Sequence, residues 1–245
     1  MNPQLHRATV GRQKSCKLAF LNVCSLRKKL GEIQNFINYH NVDIFGIAET
    51  WLDCSISDSS IHIPHYRLFR RDRGHRPGGG IAVYSRDTLA VSRHAELESD
   101  TIENLILTLK TESGEPITLA TFYLPPSTTA AVWQDLEISL NNLTLRRNNR
   151  VVAIGDFNVD MCSGHSRMHT MLQRFDLENH IRTPTRVTAS TSTLIDLLLA
   201  PNSLVGTCTV IKCDISDHYA FVANIIVATR QSERVASRKR RVWRI

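Results

Sequence analysis

The chain lacks the features that mark membrane, secreted and disulfide-framework proteins. Its 245 residues contain no apolar window of about 18 residues, and the N-terminus, MNPQLHRATVGRQKSCK, lacks the apolar centre of a secretion signal. Six cysteines are scattered without a CxxC pair or a companion histidine spacing, which argues against a zinc module and against a disulfide framework. We therefore expect a soluble, intracellular protein whose thiols are reduced and mostly structural.

The chain also has no repeat of solenoid length and no low-complexity block. Hydrophobic residues make up 42% of it, which supplies a sizeable core, so we predict one mixed α/β domain. Near residue 230 the sequence loses its apolar periodicity and becomes basic, ending in RKRRVWRI. The predicted organisation is an N-terminal extension (1–16), a folded domain (17–228) and a basic linker (229–245).

Acidic residues are outnumbered by basic ones. The chain has 30 Lys and Arg against 23 Asp and Glu, a formal net charge of +7, and its pI is near 9.3. A basic surface favours polyanionic partners such as nucleic acid or anionic lipid headgroups. Charge alone does not choose between these two.

Short apolar segments rich in β-branched residues and bordered by turn residues predict eight strands. They lie at 17–23, 42–48, 80–85, 105–109, 117–123, 151–155, 193–199 and 219–225. Apolar residues spaced three or four apart predict helices within 26–37, 133–143 and 168–175. Periodicity alone fits two packed sheets with outer helices as well as it fits a doubly wound sheet.

Polar side chains stand where several predicted strands begin or end. They are Asn22, Glu49, Tyr123, Asp156, Asn158, Asp196, Asp217 and His218. Taken singly, each has an ordinary explanation as a turn or capping residue. If the strands share one rim, however, these side chains converge on one site.

Asp196 needs a partner more than the others do. It lies in TLIDLLL, and a carboxylate among leucines loses its solvation. His218 is the candidate, because a histidine held by a buried carboxylate stays protonated more readily and can donate to a phosphate oxygen. Oxygen donors from Glu49, Asn22 and Asp217 suit a hard ion such as Mg²⁺, whereas zinc is disfavoured.

Six ordered motifs resemble those of the exonuclease, endonuclease and phosphatase superfamily of Mg²⁺-dependent phosphodiesterases. They are LNVCSL, IAETWL, FYLPP, GDFNVD, STLIDLLL and ISDHYAF, and the match extends from about residue 17 to 226. The segments AETWL, RPGGGIAVYS and PTR look most like the endonuclease domain of non-LTR (LINE-type) retrotransposons, which is related to abasic-site repair endonucleases.

The resemblance implies a four-layered α/β sandwich of two mixed or antiparallel sheets flanked by helices. It implies that Glu49 and Asn22 hold Mg²⁺, for which Mn²⁺ can substitute, and that Asp217 supports the metal or its waters. By the same resemblance, Asp156 deprotonates the attacking water and Asn158 fixes that water or the pentavalent phosphate. His218, set by Asp196, and Tyr123 then donate to the phosphate oxygens.

The resemblance further implies double-stranded DNA as the substrate, nicked to leave a 3′-hydroxyl that primes reverse transcription. The residues expected to contact DNA are Arg70, Arg71, Arg73, Arg76, Thr185 and Arg186. A solvated hairpin loop explains the stretch 70–80 equally well, and a plain connecting loop explains the segment around Thr185 and Arg186 at least as well. The basic tail would lead to the reverse transcriptase region of the same polyprotein, which handles the element RNA. Such a protein acts in the nucleus, and also resides in the cytoplasm as part of a ribonucleoprotein; no membrane is involved.

One departure and two alternatives accompany this interpretation. Repair relatives have a second oxygen ligand two residues after the motif's Asn, where this chain has Cys24, a poor ligand for Mg²⁺. A phosphatase of the same superfamily, acting on inositol phosphates, lipid headgroups or nucleotides, would share the catalytic motifs. A catalytically dead DNA-binding module would share the fold.

Overall fold

Two six-stranded sheets pack face to face in the computed structural model, which describes residues 14–74, 78–112, 115–126, 129–146 and 150–228. With strands numbered in chain order, the first sheet consists of β13 (Val205–Ile211), β14 (Ala220–Ala228), β1 (Lys14–Asn22), β2 (Ile44–Ala48), β4 (Ile81–Arg86) and β3 (Tyr66–Arg71). The second consists of β5 (Val91–Arg93), β6 (Glu103–Leu109), β7 (Ile117–Tyr123), β8 (Val151–Asp156), β12 (Asp196–Ala200) and β9 (Glu178–Asn179).

The described part of the chain also contains three α-helices, five short 3-10 turns and a small hairpin. The helices are α1 (Leu30–His40), α2 (Ala130–Arg146) and α3 (Ser166–Arg174), and the hairpin pairs β10 (Arg186–Val187) with β11 (Ser192–Thr193). Among the described residues, no helix combines the length and apolar character needed to cross a bilayer.

Each large sheet contains one parallel pair near its centre. β1 runs parallel to β2, and β7 runs parallel to β8, so the carboxyl ends of these four strands reach the edge where polar residues follow. β14 is antiparallel to β1, and β12 is antiparallel to β8, so these two strands begin where the others end. This topology brings six strand termini to one rim.

The interior strands are continuous apolar runs because both of their faces are covered. In β1, Ala19 and Leu21 belong to the core that contains Ile33 and Ile37 of α1, whereas Leu18 and Phe20 belong to the core shared with the second sheet. Side chains alternate between faces along a strand. Every second residue of β1 therefore points into the space between the sheets.

The sandwich confirms the predicted fold class, and its two separate sheets exclude the doubly wound alternative. All eight predicted strands are present, as are the three helices; the first begins as a 3-10 turn at Arg27–Lys29 and ends at His40, three residues beyond the predicted end. The predicted extension and linker lie almost wholly outside the described residues, although β1 begins at Lys14, three residues before the predicted domain boundary.

Candidate active site

The polar residues reach one place because they continue the inward-facing rows of the strands. Asn22 follows Leu18 and Phe20 at every second position of β1, and Asp156 follows the inward-facing Ile154 of β8 in the same way. Tyr123 ends β7 directly beside Asp156 in the parallel register. The rim thus replaces apolar core with polar groups between the two sheets.

Asn22 joins the two sheets by hydrogen bonds at the centre of this rim. Its side chain is fully buried, and its Nδ2 donates to Glu49 Oε1 at 3.0 Å and to Asp156 Oδ2 at 2.8 Å. Its Oδ1 accepts from the backbone N–H of Cys24 at 3.2 Å. One carboxamide therefore fixes a carboxylate from each sheet. The amide cannot be flipped, because its oxygen would then face two carboxylate oxygens that only accept hydrogen bonds.

Asp196 and His218 form the buried pair that the sequence predicts. His218 Nδ1 lies 2.8 Å from Asp196 Oδ2, and the two residues are 3% and 0% exposed. Burial opposes protonation of the imidazole, but the charge and hydrogen bond of Asp196 prevail and raise the pKa of His218. The contact with Asp196 therefore fixes the orientation of the ring and favours its protonated form.

Two hydroxyl groups hold this pair in place. Thr185 Oγ1 accepts from the backbone N–H of Asp196 at 3.0 Å, at the point where β12 begins. Ser216 Oγ donates to the carbonyl oxygen of Asn22 at 2.6 Å and accepts from the backbone N–H of His218 at 3.1 Å. The His218 loop is thus tied to the end of β1.

Asp156 sits opposite Asp196 in the antiparallel register and shares its burial. Burial first, and then the negative charge of Asp196, raise the pKa of Asp156 to about 7, against the lowering effects of His218 and Asn22. A carboxyl with such a pKa can accept a proton near neutral pH. The backbone N–H of Asn158 donates to Asp156 Oδ1 at 2.9 Å, which fixes the orientation of the carboxylate.

Tyr123 is held by an arginine from the other sheet. The Arg73 guanidinium carbon lies 5.1 Å from the centre of the Tyr123 ring, and Arg73 also forms an ion pair with Glu103. A Cβ on Gly79, whose φ is 64°, would come within 2.2 Å of this guanidinium, so a larger residue there would force the arginine side chain to shift. Burial, followed by the charge of Glu49, raises the pKa of Tyr123, which therefore stays a neutral donor.

Asp217 faces the same rim from the exposed side. Arg186 Nε donates to Asp217 Oδ2 at 2.9 Å, and the thiol of Cys24 lies 3.6 Å from Asp217 Oδ1. Burial raises the pKa of Cys24 to about 12, with the charges of Glu49 and Asp217 acting in the same direction. Cys24 is therefore a protonated donor between carboxylates rather than a thiolate ligand.

Strained backbone marks this rim. Five non-glycine residues here adopt left-handed φ values: Cys24 (44°), Ser25 (90°), Glu49 (53°), Trp51 (54°) and Asn158 (50°). Side chains other than Asn and Asp rarely adopt this region, and such outliers gather at functional sites. Their concentration in the segments after β1, β2 and β8 points to a site whose geometry is maintained at a cost to stability.

Two groups of side chains could hold a cation. One is the predicted set, Asn22, Glu49 and Asp217. The other is Asp156, Asp196 and His218, whose ligand atoms lie within 4.8 Å of one another. The second group is wholly buried, and His218 Nδ1 and Asp196 Oδ2 in it are already paired with each other at 2.8 Å. The carboxylates of Glu49 and Asp217 are accessible to solvent, and their oxygens fit a hard ion that keeps part of its water shell.

The comparison with family models decides the family. The model described as the Endonuclease/Exonuclease/phosphatase family matches residues 19–218, most of the chain. The chain belongs to this family. The predicted superfamily is confirmed, and so is the prediction of an enzyme, since members of this family are hydrolytic, metal-dependent phosphodiesterases and phosphatases. A search of curated proteins gave no match.

Solved structures of two endonucleases and a phosphatase share the fold at low sequence identity. The endonuclease domain of TRAS1, a telomere-specific non-LTR retrotransposon, superposes with a TM-score of 0.70 at 18% identity over 87% of this chain and 99% of that one. The AP endonuclease LMAP from Leishmania major gives 0.70 at 15% identity over 92% of each chain. The 3′ phosphatase NExo from Neisseria, bound to a product DNA hairpin, gives 0.65 at 16% over 86% and 99%.

The structure distinguishes among the residues that the sequence assigns to DNA. Arg70 and Arg71 are largely buried and already bonded, Arg70 to Asp72 and Asp58, and Arg71 to the carbonyl oxygens of Ser99 and Asn104. Their guanidinium groups hold the loops that contain these partners in place. The prediction that they bind DNA stays a prediction, and Arg76 lies outside the described residues.

Three further predicted site residues already have partners within the protein. The Thr185 side chain is fully buried and its Oγ1 accepts from the backbone N–H of Asp196; the prediction that Thr185 contacts DNA stays a prediction. Asn22 Nδ2 donates to the two carboxylates and its Oδ1 accepts from the backbone N–H of Cys24, and the prediction that this amide binds a metal stays a prediction. Arg186 is partly exposed and paired with Asp217, and the prediction that it contacts DNA stays a prediction.

Three contributors to the site escape the sequence reasoning. Ser216 stands inside the quoted motif ISDHYAF, so its position next to Asp217 was the available signal. Trp51 stands inside IAETWL, directly after the metal candidate Glu49 and Thr50. The contact of Arg73 with Tyr123 had no local signal, because it joins residues of different sheets that are 50 positions apart in the chain.

Proposed function

We propose that this chain is a Mg²⁺-dependent DNA endonuclease that nicks one strand of chromosomal DNA. The nick leaves a 3′-hydroxyl that primes reverse transcription of a non-LTR retrotransposon. The observation that carries the proposal is the Asn22 bridge, which holds Glu49 and Asp156 from opposite sheets within hydrogen-bonding distance of one carboxamide. In this proposal Glu49 is the metal carboxylate and Asp156 is the general base, and the bridge would direct both toward the same phosphate.

The residues of the rim fit the roles of phosphodiester hydrolysis. Asp156, with its pKa near 7, takes the proton of the attacking water, and Asn158 keeps the carboxylate aligned. The imidazolium of His218 and the phenol of Tyr123 donate to the phosphate oxygens as negative charge develops on them. Glu49, with Asp217 and the Asn22 amide, would hold Mg²⁺, which supplies charge neutralisation at the scissile phosphate.

Double-stranded DNA is the proposed substrate because two independent observations agree. The net charge of +7 favours a polyanion over a small anionic substrate, and the fold neighbours described above include nucleases of DNA. We further propose that the basic tail leads to a reverse transcriptase region of the same polyprotein, which engages the element RNA. The protein would then act in the nucleus, with a cytoplasmic ribonucleoprotein stage.

Nicking of supercoiled plasmid tests the proposal. Asp156→Ala and His218→Ala are expected to reduce nicking by about 10²–10³-fold or more, because each removes one group that acts only in the transition state. The matched controls are Asp87→Ala and His65→Ala, which alter an exposed acid–histidine pair beyond the opposite end of β4 and should retain full activity. EDTA should stop the wild type, and Mg²⁺ or Mn²⁺ should restore it.

Two outcomes would replace the proposal. Release of phosphate from inositol phosphates or nucleotides, without plasmid nicking, would make the chain a phosphatase of the family; one fold neighbour is itself a 3′ phosphatase. Metal-independent DNA binding with no cleavage in Mg²⁺ or Mn²⁺ would make it a binding module. End-group analysis of the nick distinguishes a priming 3′-hydroxyl from a blocked 3′-phosphate.

A further inference from the structure

An exposed tryptophan lies beside the candidate metal carboxylate. The described residues include four exposed large hydrophobic side chains: Tyr39, Trp51, Ile138 and Leu145. Tyr39 belongs to α1, and Ile138 and Leu145 belong to α2, whereas Trp51 stands two residues after Glu49 at the rim. Trp51 is 48% exposed, although indole is among the costliest side chains to leave in water.

The backbone around Trp51 is clamped from both sides. Its N–H donates to the carbonyl oxygen of Gly79 at 2.9 Å, and the N–H of Thr50 donates to that of Gly80 at 3.2 Å. On the other side, Ser25 and Leu26 donate to the carbonyl oxygens of Glu49 and Thr50. These bonds hold Trp51 at φ 54°, which is an outlier for a bulky residue, so the position of the ring is imposed by the fold.

The indole N–H faces the site, which fixes the direction of the ring. Nε1 donates to Glu49 Oε2 at 3.3 Å, while Glu49 Oε1 accepts from Asn22. The polar edge of the indole is therefore bound to the candidate metal carboxylate, while about half of the residue's surface stays exposed beside the site. Burial in the core does not explain why an aromatic ring occupies this exposed position. Binding of a ligand with a flat face does explain it.

We propose that Trp51 is a stacking platform for a base next to the scissile phosphate. The inference rests on the proposed function and names the form of substrate that the site accepts. A base inside a duplex is covered on both faces by its neighbours, so the base that stacks on Trp51 must leave the helix stack. The enzyme should therefore favour sites where unstacking is easy, such as flexible pyrimidine–purine steps or a mismatch.

Three substitutions separate stacking from support of Glu49. Trp51→Phe keeps an aromatic face but loses the N–H, Trp51→Gln keeps an N–H donor but loses the ring, and Trp51→Ala loses both. Stacking on one base contributes enough to predict roughly 5- to 150-fold weaker DNA binding for the Gln and Ala variants. Phe should stay within about threefold of wild type, because a phenyl face still stacks. Binding is measured in EDTA by the anisotropy of a labelled duplex, so it does not depend on turnover.

Fluorescence gives a second readout that a purely structural role would not move. The chain has three tryptophans, and in a Trp133→Phe, Trp243→Phe background Trp51 is the sole indole emitter. Trp133 is a buried core residue of α2, so its replacement leaves the rim intact. Binding of a duplex with a single mismatch should quench Trp51 emission, with a larger amplitude than binding of the matched duplex.

The outcomes discriminate between the inference and the function on which it rests. If the wild type nicks DNA but Gln binds better than Phe, or Trp51 emission stays unchanged on binding, then Trp51 only orients Glu49 and the stacking role is wrong. If the wild type neither binds nor nicks DNA, the proposed function fails and the stacking role fails with it. Nicking with quenching, and with Phe active and Gln impaired, supports both.

Discussion

Replacing Asp196 by Asn removes a buried charge and leaves the shape of the side chain almost unchanged. Asp196 and His218 are 0% and 3% exposed, and their contact at 2.8 Å is short enough for a charge-assisted hydrogen bond. Such a bond contributes about 1.5–3 kcal/mol, so the Tm should fall by roughly 3–12 °C. The variant should still fold, because the carboxamide can bond to a neutral imidazole.

The catalytic cost of Asp196→Asn should exceed its cost in stability. Asp196 raises the pKa of His218, and without that charge the burial of the imidazole favours its neutral form more strongly than in the wild type. Loss of one charged donor to a developing phosphate charge predicts about 10²–10³-fold slower nicking. The alkaline limb of the pH–rate profile, where the imidazolium loses its proton, should move to lower pH in the variant.

The pH dependence of stability provides a second check on the same pair. Because the pKa of His218 is raised in the folded state, its stabilising contribution is complete below the unfolded value near 6.5 and is lost as pH rises through the folded pKa. The Tm difference between wild type and Asp196→Asn should therefore be largest near pH 6 and smaller at alkaline pH. Nicking within about threefold of wild type, with an unmoved alkaline limb, would refute the reasoning.

Three further predictions follow from single contacts. Gly155→Ala should destabilise the fold by about 1–3 kcal/mol in chemical denaturation, because its Cβ would lie 2.1 Å from the carbonyl oxygen of Phe122. Glu49→Gln should raise the Mg²⁺ concentration needed for half-maximal nicking, since it removes the candidate metal carboxylate; an unchanged requirement would contradict that assignment. Cys24→Asp should lower the same requirement by placing a carboxylate beside Asn22, and no change would show that position 24 lies outside the metal shell.

The predicted strands and the missed strands occupy different positions in the two large sheets. All eight predicted strands are interior strands, whereas β3, β5, β9 and β13 are the edge strands of the two sheets. An edge strand needs charge or polarity to avoid pairing with other chains, so it lacks a continuous apolar run. β3, with the sequence YRLFRR, and β13, with VGTCTVI, show this directly.

Some site residues were also predictable from the sequence, because their local surroundings mark them out. Asp156 and Asp196 stand out because a carboxylate beside apolar runs requires a partner, and the structure places them opposite each other. The packing of the two sheets against each other determines where the amide nitrogen and oxygen of Asn22 point. It also determines that Thr185 is buried. Local sequence carries no record of that packing.

Plasmid nicking followed by primer extension tests the central claim most directly. The account predicts that Mg²⁺ converts supercoiled plasmid to the open circle, that a DNA polymerase extends the nick without prior phosphatase treatment, and that Asp156→Ala abolishes the conversion. Asp156 is joined to Glu49 through the Asn22 carboxamide. Replacing Asp156 should remove the proposed general base while DNA binding persists. Full nicking by the pure Asp156→Ala protein, or a nick that polymerase cannot extend, would contradict the account.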